Sequence, residues 1–362
     1  MERAVVGVIG AGTMGAGIAQ LALENGHEVV LHDVDETAIE RGRDRIRQGL
    51  ERRAAHLDLD ADSIDAWVAG RIVGLRDAHS LDAVGAEAEV VIEAALEDLD
   101  LKRTIFRTLD AASGPDVLLA TNTSALSVAG IGSATTRPER VLGLHFFNPA
   151  PVMALVEVVA TEVSSPSIVE RGEALVTAWG KTAVRCADRP GFVVNRVNRP
   201  FTLEALRMLE AGLASVEAID GAIREAGFPL GPFELIDLAG VDINLAAARG
   251  IWEGLGRPER LRPSELLERL VSEGRLGRKT GSGFYLYDGG RRGRAETRFL
   301  GGQTSLTANA IRERILAAID AEARIALDEG VATREDIDLA MRLGAAHPVG
   351  PFERASTPTI DR

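Results

Sequence analysis

The residues with the clearest capacity for chemistry are His145 and Glu157. His145 ends the apolar run 141–145, and Glu157 sits among Leu155, Val156, Val158 and Val159, with Asn148-Pro149 and Pro151 between. Prolines there mark a reversal of the chain, so a strand running out and a strand running back would bring the carboxylate beside the imidazole. A charge inside an apolar strand needs a partner. A carboxylate on one ring nitrogen fixes the histidine tautomer and stabilises the imidazolium, which leaves the other nitrogen to act as acid or base on a hydroxyl. This is the core of a triad without its nucleophile, suited to proton transfer. A histidine at a strand end also occurs as a satisfied structural residue, and the bare pair leaves both readings open.

A second set of residues marks a cofactor. Gly10-Ala11-Gly12-Thr13-Met14-Gly15 follows the apolar run 5–9 and opens the helical pattern 14–25. Glycines there let backbone N–H groups at a helix N-terminus face a pyrophosphate with no Cβ in the way. Asp33 follows the next apolar run, 27–32. A carboxylate at that point accepts hydrogen bonds from the adenosine ribose and, with Asp35, repels the extra phosphate of NADP. The pattern favours NAD, with Gly10, Gly12, Thr13, Met14, Gly15 and Asp33 as its contacts. FAD enzymes share the glycine pattern, and glycines that only permit tight packing are the structural alternative.

Other polar residues follow neighbouring apolar runs. Thr121-Asn122-Thr123-Ser124 comes after the run 117–121, placing the Ser124 hydroxyl at a carboxyl end of the expected sheet, where open α/β folds bind ligands. Ser124 is equally suited to be a helix N-cap. Glu93, Glu97 and Lys102 follow the run 89–93. They would meet the nicotinamide half of the cofactor or form an ion pair on a solvated helix.

Holding these groups requires a parallel sheet. Strands over 5–9, 27–32, 89–93, 117–121, 141–145 and 155–159 alternate with helical patterns such as 14–25 and 100–112, as in an α/β Rossmann-type dinucleotide-binding domain. The charged, Ala-rich stretch 35–71 suits helices packed outside the sheet or projecting from it. At Asp188-Arg189-Pro190-Gly191 the pattern changes, and helices over 195–211, 216–226 and 263–273 predict an all-α C-terminal domain. The expected division is 1–187 for the dinucleotide-binding domain, 188–287 for the helical domain, 288–304 for a Gly- and Arg-rich linker, and 305–362 for a second, shorter helical module. Phe228-Pro229-Leu230-Gly231-Pro232-Phe233-Glu234 recurs as His347-Pro348-Val349-Gly350-Pro351-Phe352-Glu353, and Ala218-Ile219-Asp220 corresponds to Asp336-Ile337-Asp338. The later copy has Glu313-Arg314 where the first has Asn195-Arg196; it is expected to pack and not to catalyse.

Composition narrows the partners. A net charge of −13 argues against nucleic acid and anionic membrane surfaces, which need clustered cations. A lone cysteine, Cys186, excludes an intrachain disulfide and fits a buried thiol in a reducing cytoplasm. The uncharged run 4–23 superficially resembles a leader or a membrane span, but its five glycines speak for a strand and a glycine turn. Arg41, Arg43, Arg45, Arg47, Arg52 and Arg53 form a basic stretch that suits an anionic ligand or, with Glu40, Asp44 and Glu51 interspersed, a solvated helix face. No metal site is assigned.

Together these motifs resemble the L-3-hydroxyacyl-CoA dehydrogenases over roughly residues 3–287. The resemblance rests on the glycine turn extended to Ala16-Gly17-Ile18-Ala19, on Glu93-Ala94-Ala95-Leu96-Glu97 with Lys102, and on Asn122-Thr123-Ser124 and His145-Phe146-Phe147-Asn148-Pro149. Gly191-Phe192-Val193-Val194-Asn195-Arg196 and Leu276-Gly277-Arg278-Lys279-Thr280-Gly281 also match. It implies His145 as the base, Glu157 as its orienter, and Ser124 and Asn195 as donors to the substrate oxygen. It also implies NAD contacts from Glu97, Lys102 and Asn122, a supporting role for Asn148, an acyl-CoA substrate, and a homodimer formed through the helical domain. A dehydrogenase of a free hydroxy acid or a carnitine-like substrate is the nearest alternative on this architecture, and a non-catalytic NAD-binding protein is the other.

Overall fold

The computed structural model describes residues 3–57, 59–296, 299 and 305–356. The chain divides into two compact units after Arg189, close to the expected boundary at 188. In the first unit the strands are β1 (Val5–Ile9), β2 (Glu28–His32), β3 (Leu75–Asp77), β4 (Val90–Glu93), β5 (Leu118–Thr121), β6 (Val141–Phe146), β7 (Leu155–Ala160) and β8 (Thr182–Ala187). They form one sheet in the order β3-β2-β1-β4-β5-β6-β7-β8. β3 through β6 in that order are parallel, while β7 runs antiparallel to β6 and parallel to β8. The strand order reverses between β1 and β4, the place where open α/β sheets leave a crevice for a ligand.

The central strands are apolar because both faces are covered. β4, β5 and β6 are buried at every position. Covering helices are α1 (Thr13–Glu24), α2 (Glu36–Ala54), α3 (Ala61–Ile72), α4 (Leu81–Glu87), α5 (Leu99–Ala112), α6 (Val128–Gly132) and α7 (Pro166–Ala178). The stretch 35–71 thus becomes two helices that pack on each other, and α2 also packs on α1. The uncharged run 4–23 is β1 followed by α1, and no helix of the described residues is long and apolar enough to cross a membrane. Cys186 on β8 is buried.

The second unit holds α8 (Val194–Val197), α9 (Arg199–Glu210), α10 (Val216–Glu225), α11 (Pro232–Ala239), α12 (Val241–Gly254) and α13 (Glu265–Ser272). The hairpin β9 (Tyr285–Asp288) and β10 (Arg291–Ala295) follows, then α14 (Ala308–Asp328), α15 (Arg334–Gly344) and α16 (Pro351–Ser356). The helix expected over 195–211 is divided into α8 and α9, which meet at Asn198; that residue keeps the right-handed helical conformation, and Pro200, in the first turn of α9, has no N–H to add to the ladder. The expected linker opens with strand β10, joined to β9 through Gly289 and Gly290, both at positive φ, as a tight hairpin turn requires. Residues 297, 298 and 300–304 of that linker, and 357–362 of the second module, lie outside the described residues.

One hydrogen-bond constellation occurs twice in this unit. Asp220 accepts from the amides of Phe233 (2.9 Å) and Glu234 (3.1 Å), and Asp338 accepts from those of Phe352 (2.8 Å) and Glu353 (3.0 Å). Glu234 and Glu353 each return to the amide of the glycine three residues earlier, so each aspartate and each glutamate satisfies orphan donors of a helix start. Ion pairs tie two helices to α14: Arg196 of α8 meets Glu322 (2.9 Å), and Arg314 of α14 meets Glu204 of α9 (2.9 Å).

Candidate active site

The glycine turn holds the geometry that a pyrophosphate needs. Gly10 has φ +97, and a Cβ there would meet the Ala94 carbonyl oxygen at 2.7 Å; a Cβ on Gly15 would collide with the Gly10 carbonyl. A Cβ on Gly12 would meet nothing within 4 Å. Gly12 is also the N-cap of α1 and supplies no side-chain bond to it, so no N-cap side chain occupies the orphan N–H groups of this helix. Thr13 is exposed at the same turn. Met14 contributes backbone there, since its side chain packs against the core.

Asp33 ties the turn to the second strand: its Oδ2 accepts from the Ala11 amide (2.7 Å) and its Oδ1 from the Val34 amide (2.6 Å). A carboxylate with one bond on each oxygen keeps lone pairs for ribose hydroxyls. The residues present therefore fit NAD. Among the arginines of α2, Arg43 is held by Asp77 and Arg45 reaches the Ala11 carbonyl. Arg41, Arg47 and Arg52 are exposed, with no ion pair among the described residues.

At the carboxyl ends of β4, β5 and β6 a buried network connects the remaining candidates. Glu93, fully buried, accepts from Lys102 Nζ (2.6 Å), the Ala95 amide (2.7 Å) and the Thr121 hydroxyl (2.7 Å). Lys102, only 1% exposed, also lies 3.5 Å from Glu97. Its ammonium is thus enclosed between two carboxylates and does not project from a solvated helix face. Glu97 Oε1 in turn accepts from the Thr123 hydroxyl (2.6 Å) and from the amides of Ser124 (2.9 Å) and Ala125 (3.1 Å), with the Ser124 hydroxyl at 3.3 Å. Burial opposes ionisation of Glu97, but the Thr123 hydroxyl, the Lys102 charge and the two amides outweigh it and hold its carboxyl below the usual range. The network fixes the loop that presents Ser124.

His145 and Glu157 are direct register partners on β6 and β7. Their contact, His145 Nδ1 to Glu157 Oε2, is 2.6 Å, with the histidine 6% and the glutamate 0% exposed. The reversal at Asn148-Pro149 is what allows β7 to return antiparallel, and Asn148 is exposed on that loop. Asn122, expected at the cofactor, accepts from the Phe146 amide through its side-chain oxygen (2.8 Å). It therefore anchors the strand end that carries His145. Asn195 lies in the second unit on α8, half-buried and next to the fully buried Arg196.

Sequence reasoning did not single out Thr121 and Thr123 as parts of this network, nor Asp188, which caps α6 through Ser127 Oγ (2.9 Å) and the amides of Val128 and Ala129. The only signal for the threonines was their alternation at a strand end. Asp188 carried none, because its partners lie some sixty residues away.

The family models decide what this arrangement belongs to. The NAD-binding domain of the 3-hydroxyacyl-CoA dehydrogenases matches residues 5–189, and the C-terminal domain of the same family matches residues 191–287 and 311–362. The chain belongs to the 3-hydroxyacyl-CoA dehydrogenase family. The dehydrogenase is 45% identical over 281 residues to a 3-hydroxyadipyl-CoA dehydrogenase of Escherichia coli, a match covering 77% of this chain and 58% of that one. It is 42% identical over 290 residues to a 3-hydroxybutyryl-CoA dehydrogenase of Mycobacterium tuberculosis, covering 78% and 98%. The crystal structure of a 3-hydroxybutyryl-CoA dehydrogenase from Escherichia coli K12 superposes with a TM-score of 0.88 at 34% identity, covering 98% of this chain and 92% of that one. The dehydrogenase is thus an NAD-dependent oxidoreductase acting on 3-hydroxyacyl-CoA, with a Rossmann-type first unit and a helical second one.

Proposed function

We propose that this dehydrogenase oxidises a short-chain L-3-hydroxyacyl-CoA, such as 3-hydroxybutyryl-CoA, to the 3-oxoacyl-CoA, and runs in reverse when NADH is supplied. The observation that carries this reading is the 2.6 Å contact between His145 Nδ1 and Glu157 Oε2 inside the sheet. With a carboxylate on Nδ1, the neutral ring holds its proton there and offers the Nε2 lone pair to the 3-hydroxyl. His145 removes that proton, and Glu157 stabilises the imidazolium that forms. Ser124 and Asn195 donate to the substrate oxygen while its charge rises, and Asn148 supports the substrate or the imidazole.

Bound NAD supplies the hydride acceptor. The turn Gly10–Gly15 holds its pyrophosphate and Asp33 its ribose. Glu97 contacts its nicotinamide half, with Lys102 acting through Glu97 and Asn122 through the β6 end. The test is NADH oxidation with acetoacetyl-CoA. His145→Ala should remove most turnover while NADH still binds; undiminished turnover refutes the assignment of the base.

The wider setting belongs to the same proposal. The lone buried cysteine supports a cytoplasmic location, and the net charge of −13 supports a chain without nucleic-acid or membrane partners. Residues 305–362 are read as a second, shorter copy of the helical module; the paired Asp220 and Asp338 constellations within the described part support this. A homodimer through the helical unit follows from the family resemblance. Because α14 already packs on α9 of its own chain, that dimer would use another face. The relatives' names differ in the acyl group, butyryl in one and adipyl in another, so the far end of the acyl chain is the feature that separates them.

A further inference from the structure

Two arginines on consecutive helices of the second unit are buried, and only one has a counter-charge. Arg196, 0% exposed, is held by Glu322 (2.9 Å) and Glu329 (2.7 Å). Arg199, 7% exposed, makes no ion pair and no side-chain hydrogen bond among the described residues, and its Nε is a buried donor without a partner. Carboxylates of α9, and those on and just after α14, have other partners: Glu204 meets Arg207 and Arg314, Glu322 meets Arg196 and Arg260, Glu329 meets Arg196, and Glu210 accepts from the Ser264 hydroxyl. Burial alone pushes the Arg199 guanidinium down to about 10, with no compensating charge. It therefore remains a cation at neutral pH. An uncompensated buried guanidinium is destabilising, so its retention calls for an anion from outside the fold.

Its place says which anion. Asn195 and Arg199 are four residues apart, and Asn198 between α8 and α9 keeps the right-handed helical conformation. Positions i and i+4 lie on one helix face with Cβ atoms about 5–6 Å apart. Asn195 is the residue assigned to the reacting oxygen, so a group reaching one helical turn further along the acyl chain arrives at Arg199. The inference rests on that assignment.

We infer that Arg199 binds a carboxylate at the distal end of the acyl group, which makes the preferred substrate a 3-hydroxydicarboxylyl-CoA and Arg199 a specificity-determining residue. A guanidinium binds a carboxylate in a fork that an alkyl end cannot satisfy, and an uncharged acyl end leaves the cation desolvated and alone.

The experiment compares 3-hydroxyadipyl-CoA with 3-hydroxyhexanoyl-CoA, which has the same chain length but an uncharged end, using the full chain and NAD. The wild type should favour the dicarboxylic substrate in kcat/KM by at least about tenfold, the discrimination expected from a lost charged hydrogen bond. Arg199→Met should collapse or invert that ratio, chiefly through KM for the dicarboxylic substrate, and Arg199→Lys should restore part of it. Equal kcat/KM for both substrates in the wild type overturns the assignment of Arg199 alone, and it does so even where a variant fails to fold. A ratio unchanged in Arg199→Met overturns it as well. Absence of NADH formation from either substrate overturns the dehydrogenase reading itself, and the Arg199 assignment with it.

Discussion

Replacing Glu157 with glutamine keeps the shape of the side chain and removes its charge, so it isolates what the carboxylate does for His145. The pair is in contact at 2.6 Å and closed off from water. With charge centres about 4 Å apart and an effective dielectric constant near 20, the attraction between an imidazolium and this carboxylate is about 4 kcal/mol. That attraction exists only once His145 has taken the substrate proton, so its loss falls on the transition state and not on binding. At about 1.4 kcal/mol per decade the loss corresponds to a fall in kcat of roughly a thousandfold. A glutamine can also turn its amide N–H₂ to Nδ1 and hold the wrong tautomer, which adds to the loss. The assay is steady-state oxidation of NADH with acetoacetyl-CoA, with NADH fluorescence titration as a check that the cofactor site is intact. Because the two residues act as one unit, His145→Ala combined with Glu157→Gln should be little worse than His145→Ala alone. A Glu157→Gln enzyme with kcat within threefold of the wild type, or a double variant whose losses multiply, would refute the reasoning.

Asp33→Ala removes both the ribose acceptor and the brace on the Ala11 amide, so the ratio of NAD to NADP efficiency should fall, mostly through a higher KM for NAD; an unchanged ratio argues against a ribose role. Lys102→Met leaves Glu93 charged and fully buried without its cation, a loss of about 3–5 kcal/mol. Urea denaturation should show it, and a change below about 1 kcal/mol would mean that the network is not an ion pair in solution. Burial pushes the Asp220 carboxyl up to about 7, against the Phe233 amide, the Tyr285 hydroxyl and nearby arginines. A folded value above the ordinary 3.8 favours the protonated form, so the stability from this group is fully present below that value and is lost as pH rises through about 7. Thermal unfolding across that range should show a downward contribution that Asp220→Asn abolishes; an identical pH slope in the variant would place the titration elsewhere.

The strands and helices of the first unit could be read from the chain because each signal is local. Alternation of short apolar runs with helical spacing gave β1, α1, β4, α5 and β6 to within a residue or two at either end, and the return of the chain at Asn148-Pro149 put His145 opposite Glu157. Asn198 was less legible. A helix pattern runs through it, and the missing N–H of Pro200 interrupts the hydrogen-bond ladder without ending the apolar spacing. In the stretch expected as a linker, the Gly289-Gly290 pair was a hairpin signal that the surrounding arginines obscured.

By itself the sequence determined the parts whose physics is set within a few residues. These are the turn that requires glycine at Gly10 and Gly15, the carboxylate that follows β2, and the histidine and glutamate on two strands joined by a proline-marked reversal. Tertiary structure alone decided what the long-range charges do. From sequence, Lys102 and Glu97 were open to reading as cofactor contacts or as an ion pair on a helix face, and the fold adds the partners: it buries the lysine against Glu93 and joins Glu97 to the Ser124 loop. Nor does anything in the spacing of Arg196 and Arg199 distinguish them. Only the packing of α14 gives Arg196 its glutamates and leaves Arg199 without one, because the strength of an ion pair depends on which carboxylate reaches it through the folded chain and on how little water remains around it.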